Sequence, residues 1–537
     1  MRIKKKICAI MIFVFLFAAF CCAGAQDSSE VTILFTHDLH SYLLPTVDDD
    51  GNSYGGYARL KTLIDDYKNE YPDAIVVDAG DFSMGTLFQT AYSDHALELR
   101  TMGAMGFDVT TFGNHEYDYR ASGLAEMLNA AVESGEPLPQ LVYSNYRPPV
   151  CGEEGYNEDS QAVTDALANY NAESKYTVIN RGGINFAVFG TFGFDADDCA
   201  PMSGMVMEDP VETAKEIVAL IETEVAEPKV VICLSHSGTN ENSKKSEDEQ
   251  LAAKVDGIDV IVSGHTHTTL QEPIVTNGTY IVSAGEYGKN LGVLRLDISS
   301  GTPSLIEYDL VCVDASVAED EALAQTIAGY DALVQESYLS YFGDLERTQV
   351  IANNPYEFDT LNDLGSKHRE SSLGNLMADS YIEAIKNAEG DAYVPVDFAV
   401  TATGIIRSSL PVGDVTVEDV YNISSLGIGT DSLAGYPLVA VWLTGKEIKA
   451  AFEVDASVTA LMPAAQLFFS GMEFTFNPNR MIFNKVTDSA QVLPDGTKVE
   501  IEDDKLYSVA CGLYWTYNYT SANEENVNKA KEITKKQ

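Results

Sequence analysis

Gly113-Asn114-His115-Glu116-Tyr117-Asp118 follows the apolar run Phe107-Asp108-Val109-Thr110-Thr111-Phe112, and its reading decides the fold of the first half of the chain. A glycine turn that releases a buried strand into polar side chains is common by itself. Here four more strand-like runs end the same way: residues 31–35 lead to Asp38 and His40, 75–79 to Asp81, 230–235 to His236, and 260–264 to His265 and His267. Five of the chain's eight histidines fall in these clusters, each just past the carboxyl end of a buried run, where α/β sheets gather their ligands. Imidazole and carboxylate together suit zinc, manganese or iron better than an all-oxygen calcium or magnesium cage. Side chains two apart in an extended loop, such as Asp38/His40 and His265/His267, can chelate one ion or divide between two close ions. Two cations about 3.5–4 Å apart need a bridging carboxylate, and such a pair activates water while neutralising a phosphoryl oxygen. No cysteine shows zinc-motif spacing, so histidine and aspartate must carry the metal.

Outward from this stretch, residues 31–313 alternate short β-branched runs with amphipathic helical patterns. Residues 31–35 and 74–79 read as strands, with Tyr57, Leu60, Ile64 and Tyr67 at helical spacing between them. Further runs lie at 188–192, 229–234, 258–263, 280–283 and 293–298, with helical patterns at 124–133 and 211–225. Arg181-Gly182-Gly183 reads as a hairpin turn. The pattern predicts a layered α/β domain over residues 26–315, with mixed β-sheets sandwiched by helices. A mostly polar helical pattern at 318–341 suits a connecting helix within a linker at 316–342. A second α/β domain is expected at 343–519, with helices at 373–386 and from 446, strands near 397–400 and 438–443, and a polar tail at 520–537.

At 537 residues the chain exceeds a single ordinary core, in keeping with two domains. Residues 1–25 read as a signal peptide: Arg2-Ile3-Lys4-Lys5-Lys6 is a basic start, 7–20 an apolar run, and Ala23-Gly24-Ala25 a cleavage site. Export to an extracellular, cell-surface or periplasmic location is expected. Cys21 and Cys22 raise lipidation, but Phe20 is a poor small residue for it. No second apolar run of spanning length occurs, so no integral membrane span is expected in the mature chain. Five cysteines remain after the signal, an odd number; Cys151 and Cys199, each in a polar Gly/Asp/Pro-rich loop, are the pair expected to bridge, and Cys233 reads as a core residue. The net charge of −47 excludes nucleic-acid polymers and anionic membrane surfaces as partners. An anionic substrate must then be drawn by a local cationic feature, which bound divalent metals and a few arginines would supply. The oligomeric state stays open.

In chain order, Asp38-x-His40, Gly80-Asp81, Gly113-Asn114-His115-Glu116, His236 and Gly264-His265-x-His267 resemble the calcineurin-like metallophosphoesterase superfamily. Gly55-Gly56-Tyr57-Ala58-Arg59 and residues 113–118 are similar to the secreted 5′-nucleotidases within it. Arg369-Glu370-Ser371-Ser372-Leu373-Gly374-Asn375-Leu376-Met377-Ala378-Asp379 and Gly404-Ile405-Ile406-Arg407-Ser408 resemble that family's substrate-binding domain. The resemblance implies two divalent metal ions, zinc, manganese or similar, with Asp38, His40, Asp81 and His267 around one and Asp81, Asn114, His236 and His265 around the other. It implies a hydroxide between the ions attacking phosphorus in line, His115 giving a hydrogen bond or proton to the phosphoryl or leaving oxygen, and Asp118 orienting His115. Arg369 and Arg407 match the family's phosphate-binding arginines, whose planar fork suits phosphate. The function implied is removal of phosphate from a small-molecule phosphoester, a nucleotide.

Four departures from the family bear on substrate, one being Thr401-Ala402-Thr403-Gly404 where the family has an Asn-Gly-Gly run before Ile and Arg. His37 stands where the family usually has Asn, and reads as a neighbour of the ligands rather than a ligand. Ser424-Ser425-Leu426-Gly427 replaces the family's Pro-Phe segment, and its terminal Gly-Gly-Asp-Gly-aromatic segment is absent, the nearest rings being Tyr514, Trp515, Tyr517 and Tyr519. Those two segments stack on a base in the family, so 2′,3′-cyclic nucleotides, nucleotide sugars and other phosphoesters stay open as substrates. A non-catalytic metal- or nucleotide-binding surface protein is the reading from another class. His115 and Asp118 speak against it, because a binder needs no leaving-group acid.

Overall fold

The computed structural model describes residues 29–48, 51–343, 345–366, 368–429 and 432–513. The expected signal at 1–25, the tail at 520–537 and the rings of Tyr514, Trp515, Tyr517 and Tyr519 lie outside the described residues.

Side chains of the strand Glu30–Thr36 alternate between two cores: Val31, Ile33 and Phe35 enter one apolar cluster and Leu34 another. A strand buried on both faces has to lie inside a layered fold. It pairs in parallel with Ile75–Asp78 and antiparallel with Asn290–Asp297. The resulting six-stranded sheet runs in the order Ser304–Cys312, Asn290–Asp297, Glu30–Thr36, Ile75–Asp78, Val109–Thr110, Gln140–Leu141. A second six-stranded sheet runs Ile274–Thr276, Thr279–Val282, Val260–Ser263, Lys229–His236, Ile184–Phe192, Thr177–Arg181. Ile33, Phe35, Ile75 and Val77 of the first sheet meet Val188, Val230, Ile232 and Val262 of the second in the central core. Helices Tyr57–Glu70, Leu97–Met105 and Arg120–Ser134 cover the outer face of the first sheet, and Pro210–Glu224 and Glu247–Lys254 that of the second. The layered α/β architecture with mixed sheets is therefore as read. So is the hairpin, in which Gly182 and Gly183 (φ 56° and 84°) turn Thr177–Arg181 back onto Ile184–Phe192.

Each sheet contains a run of four parallel strands, so the loops that leave those strands emerge on one edge. That shared direction brings five distant loops together.

Helix Glu321–Ser337 differs from the polar connector expected at 318–341. It carries a stripe of Leu323, Ile327, Tyr330 and Val334 that packs into the outer core of the first sheet. The spacing of those four residues is one helical face. Arg347 follows the helix and ties it forward, pairing with Asp331 at 2.7 Å and Glu418 at 2.6 Å.

The remainder is a second α/β unit. Its four-stranded sheet runs Leu438–Thr444, Leu506–Gly512, Phe398–Ala402, Leu467–Ser470, and Ser372–Glu389 and Gly445–Val458 are its long helices. The unit meets the first through Gln89 Nε2, which donates to the Ser425 carbonyl at 2.5 Å, and through an apolar contact of Met84 with Ile405 and Leu426.

Glu98, in the first turn of Leu97–Met105, is fully buried and accepts the Ser41 hydroxyl at 2.6 Å. Burial raises its carboxyl from 4.5 to about 7. The folded state therefore holds this proton more tightly than the unfolded chain, and stability falls as pH rises from about 4.5 through 7. Thermal unfolding of Glu98→Gln against the parent across pH 4–9 is expected to show the parent losing about 1–3 kcal/mol more over that window. Parallel pH profiles would refute the assignment.

Candidate metal centre

The loops after the central strands adopt a backbone that ordinary residues avoid. Asp38, His40, Asp81, His265 and His267 have φ of 51°, 52°, 53°, 70° and 53°. Left-handed conformation costs a non-glycine residue on the order of 1–2 kcal/mol, and such outliers gather where geometry is set by function. Gly113 is glycine for want of space, since a Cβ there would overlap Asp81 Oδ1 and stand 2.5 Å from His236 Cε1. Glu116, fully buried, ties two of the loops together by accepting the N–H groups of Asp81 (3.0 Å), Ser83 (2.9 Å) and Gly113 (2.5 Å).

Two overlapping groups of donor atoms result. In the first, His40 Nε2 and His267 Nε2 face one another at 2.9 Å, and Asp38 Oδ1 lies 3.6 Å and 3.4 Å from them. In the second, His236 Nε2 lies 3.1 Å from Asp81 Oδ2 and 3.2 Å from Asn114 Oδ1, and His265 Nδ1 is 2.9 Å from that same Asn114 oxygen. Asp81 Oδ2 also stands 3.9 Å from His40 Nε2, which places this carboxylate between the groups. The structure thus brings together all seven side chains read as metal ligands.

The donor set fits divalent cations. Asp38 Oδ1 is buried without a hydrogen-bond partner, while Asp38 Oδ2 accepts from His37 Nδ1 at 2.5 Å and from the His265 N–H at 2.9 Å. His37 accepts the N–H groups of Ala284 (2.8 Å) and Gly285 (3.1 Å) at Nε2, so its proton is on Nδ1 and it orients Asp38, as a neighbour of the ligands would. His236 donates Nδ1–H to the Ala79 carbonyl at 2.8 Å, which leaves the Nε2 lone pair directed inward. Burial opposes ionisation of Asp81, yet His236, His115 and His40 outweigh it and hold the carboxyl well below the usual range. Burial likewise lowers His40 to about 4 and keeps it a neutral donor. Burial works against a charge on His236 too, but Asp81 raises it to about 10, so the pair calls for positive charge between them.

His115 lies at the edge of the centre, its Nδ1 3.0 Å from Asp118 Oδ2. Burial would lower its pKa, but Asp118 and Asp81 raise it above the ordinary value. Arg407 of the second unit reaches the same loops, and its charge acts on Tyr42, Tyr287 and His115. The Tyr42 and Tyr287 rings stack at 4.2 Å beside His40. Arg369 is placed differently: it pairs with Asp359 at a cavity of about 160 Å³ lined by His368, Gln466 and Phe476. The Asp359 carbonyl in turn accepts the Ser409 hydroxyl at 2.9 Å, which links Arg369 to the Arg407 loop.

The Cys151–Cys199 disulfide is corrected by the structure, in which both thiols are free. Cys199 closes the short helix Phe194–Cys199, where its thiol faces Asp195 and His265 with donor atoms within 4.8 Å, whereas Cys151 sits on an exposed turn. Asp195 was not singled out from sequence. Its Oδ2 is 2.9 Å from His265 Nε2, and an exposed aspartate on a short helix has no local mark of such a contact. Among the described residues no helix is long and apolar enough to cross a membrane.

Comparison with known proteins agrees with this geometry. The calcineurin-like phosphoesterase family profile matches residues 31–269, and that of the 5′-nucleotidase C-terminal domain matches residues 350–527. The chain is 29% identical to the trifunctional nucleotide phosphoesterase protein YfkN of Bacillus subtilis (strain 168), over 90% of this chain but 31% of that longer protein. It is 26% identical to a 5′-nucleotidase of Rattus norvegicus, over 91% of this chain and 82% of that one. In fold it is similar to the 5′-nucleotidase precursor of Thermus thermophilus, with a TM-score of 0.69 at 24% identity, over 90% of this chain and 89% of the other. The chain belongs to the calcineurin-like phosphoesterases that carry a 5′-nucleotidase C-terminal domain, and it is a metal-dependent phosphoester hydrolase.

Proposed function

We propose that the protein is an exported two-metal phosphohydrolase that removes phosphate from nucleotides in the manner of a 5′-nucleotidase. The convergence of Asp38, His40, Asp81, Asn114, His236, His265 and His267 on two overlapping donor groups, with Asp81 shared, carries this reading. Asp38, His40, Asp81 and His267 would hold one ion, and Asp81, Asn114, His236 and His265 the other. Two such ions activate water and neutralise a phosphoryl oxygen. The chain's own groups do the rest. His115, held by Asp118, donates a hydrogen bond or proton at the phosphoryl or leaving oxygen. Arg407 binds the phosphate with its planar fork, and Arg369 enters from the neighbouring loop when substrate displaces it from Asp359. Residues 26–315 do the chemistry, 316–342 link, 343–519 shape the pocket for base and sugar, and 1–25 direct export.

A second reading keeps the chemistry and widens the substrate. Leu426, which stands in the family's aromatic segment, packs against Met84 and Ile405. Tyr436 packs against the same cluster, and the similarity to a nucleotide phosphoesterase described as trifunctional favours more than one kind of nucleotide phosphoester as substrate.

A phosphate-release screen tests both readings, using nucleoside mono-, di- and triphosphates, cyclic nucleotides and sugar nucleotides with several divalent metals. Release from nucleoside monophosphates that stops on chelation and returns with added metal is expected. Turnover that survives chelation would overturn the metal reading, and turnover confined to non-nucleotides the substrate.

A further inference from the structure

The strand Ile184–Phe192 passes through Gly193 into the helix Phe194–Cys199. The turn lies hard against the loop after His236: a Cβ on Gly193 would stand 2.6 Å from Ser237 Cα and 2.8 Å from Glu247 Oε2. The Glu247 carboxylate accepts the N–H groups of Phe194 at 2.9 Å and Asp195 at 3.1 Å, which fixes the backbone from which the Asp195 side chain springs. Asp195 Oδ2 lies 2.9 Å from His265 Nε2, and the other ring nitrogen, Nδ1, is 2.9 Å from Asn114 Oδ1 within the second donor group.

We propose that Asp195 is a positioning residue for the second metal ion, holding the His265 imidazole with Nδ1 turned to the ion and Nε2–H on the Asp195 carboxylate. The inference rests on the two-ion reading of the site. An imidazole that coordinates through Nδ1 must carry its proton on Nε2. A carboxylate at that position fixes the tautomer and the ring plane, and makes the coordinating nitrogen more basic. The Asp195 side chain is 72% exposed, so its truncation removes the acceptor without opening a cavity.

The test is a metal titration of the metal-stripped full chain, with cobalt(II) or zinc against a competing chelator, for the parent, Asp195→Ala and Asp195→Asn. The parent is expected to bind two ions. In Asp195→Ala one ion should bind about tenfold more weakly, the lower end of the range for such outer partners because this one is exposed, and the other ion should be unchanged. Asp195→Asn, whose amide oxygen still accepts the Nε2–H, should fall between, and the visible spectrum of one bound cobalt should shift in Asp195→Ala alone. Two ions with unchanged affinities and spectrum in Asp195→Ala would overturn the inference and leave the two-ion reading standing. Equal weakening of both ions would also overturn it, since the role would not be selective. A parent that binds fewer than two ions would overturn the underlying reading instead.

Discussion

Asp81→Asn is expected to stay folded, to lose tight binding of both ions, and to release phosphate about 10²–10³-fold more slowly, the scale on which losing one group that stabilises developing charge lowers kcat. The reason is position. Oδ1 accepts the His115 N–H at 2.8 Å, and Oδ2 lies 3.1 Å from His236 and 3.9 Å from His40, one in each donor group. Asparagine keeps the acceptor for the His115 N–H and the volume, and removes only the charge shared between the groups. Asp38→Asn is the control, because the unpartnered oxygen of Asp38, Oδ1, faces His40 and His267 of the first group. It should weaken one ion and spare the other. Measured metal content separates the outcomes: two ions retained in Asp81→Asn with near-normal turnover would sink the bridging role.

What the chain declares locally and what it does not follow one physical line. An apolar run ending in Gly-Asn-His or Gly-His-Thr-His is a local signal, because the strand and its turn are neighbours in sequence. Asp38, His40, Asp81, Asn114, His236, His265 and His267 could all be found that way, and parallel strands then carry their loops to one edge. Contacts made across the fold leave no such mark. Asp195 meets His265 across seventy positions, and Gln89 meets Ser425 across 336. The strand Ser304–Cys312 is largely solvent-facing and shows no clean alternation. Helix Glu158–Tyr170 does bury Val163, Ala166, Leu167 and Tyr170 at helical spacing, yet its many polar residues mask the stripe. The polar surface of Glu321–Ser337 hides its packing face in the same way. Arg407 and Arg369 look equivalent as motif arginines, but only the tertiary structure shows the charge of one acting on His115 and the other paired with Asp359.

His115→Ala should lower kcat by about 10²–10⁴-fold with both ions still bound, the range for loss of a positioned acid. Distance alone does not assign this residue, since its donor atom lies within 4.8 Å of those of His40 and Asp81. Its partner decides the role. Asp118 engages Nδ1 at 3.0 Å and, with Asp81, raises the imidazole against the effect of burial, which favours the protonated form that a leaving oxygen needs. The neighbouring Asn114 has its side-chain oxygen between His236 and His265, so Asn114→Ala should weaken one ion. The sign of the pH effect follows from the same contact. Asp118→Asn removes a charge that raises the His115 pKa, so the imidazole loses its proton at lower pH. The alkaline limb of the kcat profile should therefore move to lower pH while metal content stays at two. Equal metal loss in His115→Ala and Asn114→Ala would make His115 a ligand, and an alkaline limb that does not move in Asp118→Asn would remove the acid from the mechanism even with both ions in place.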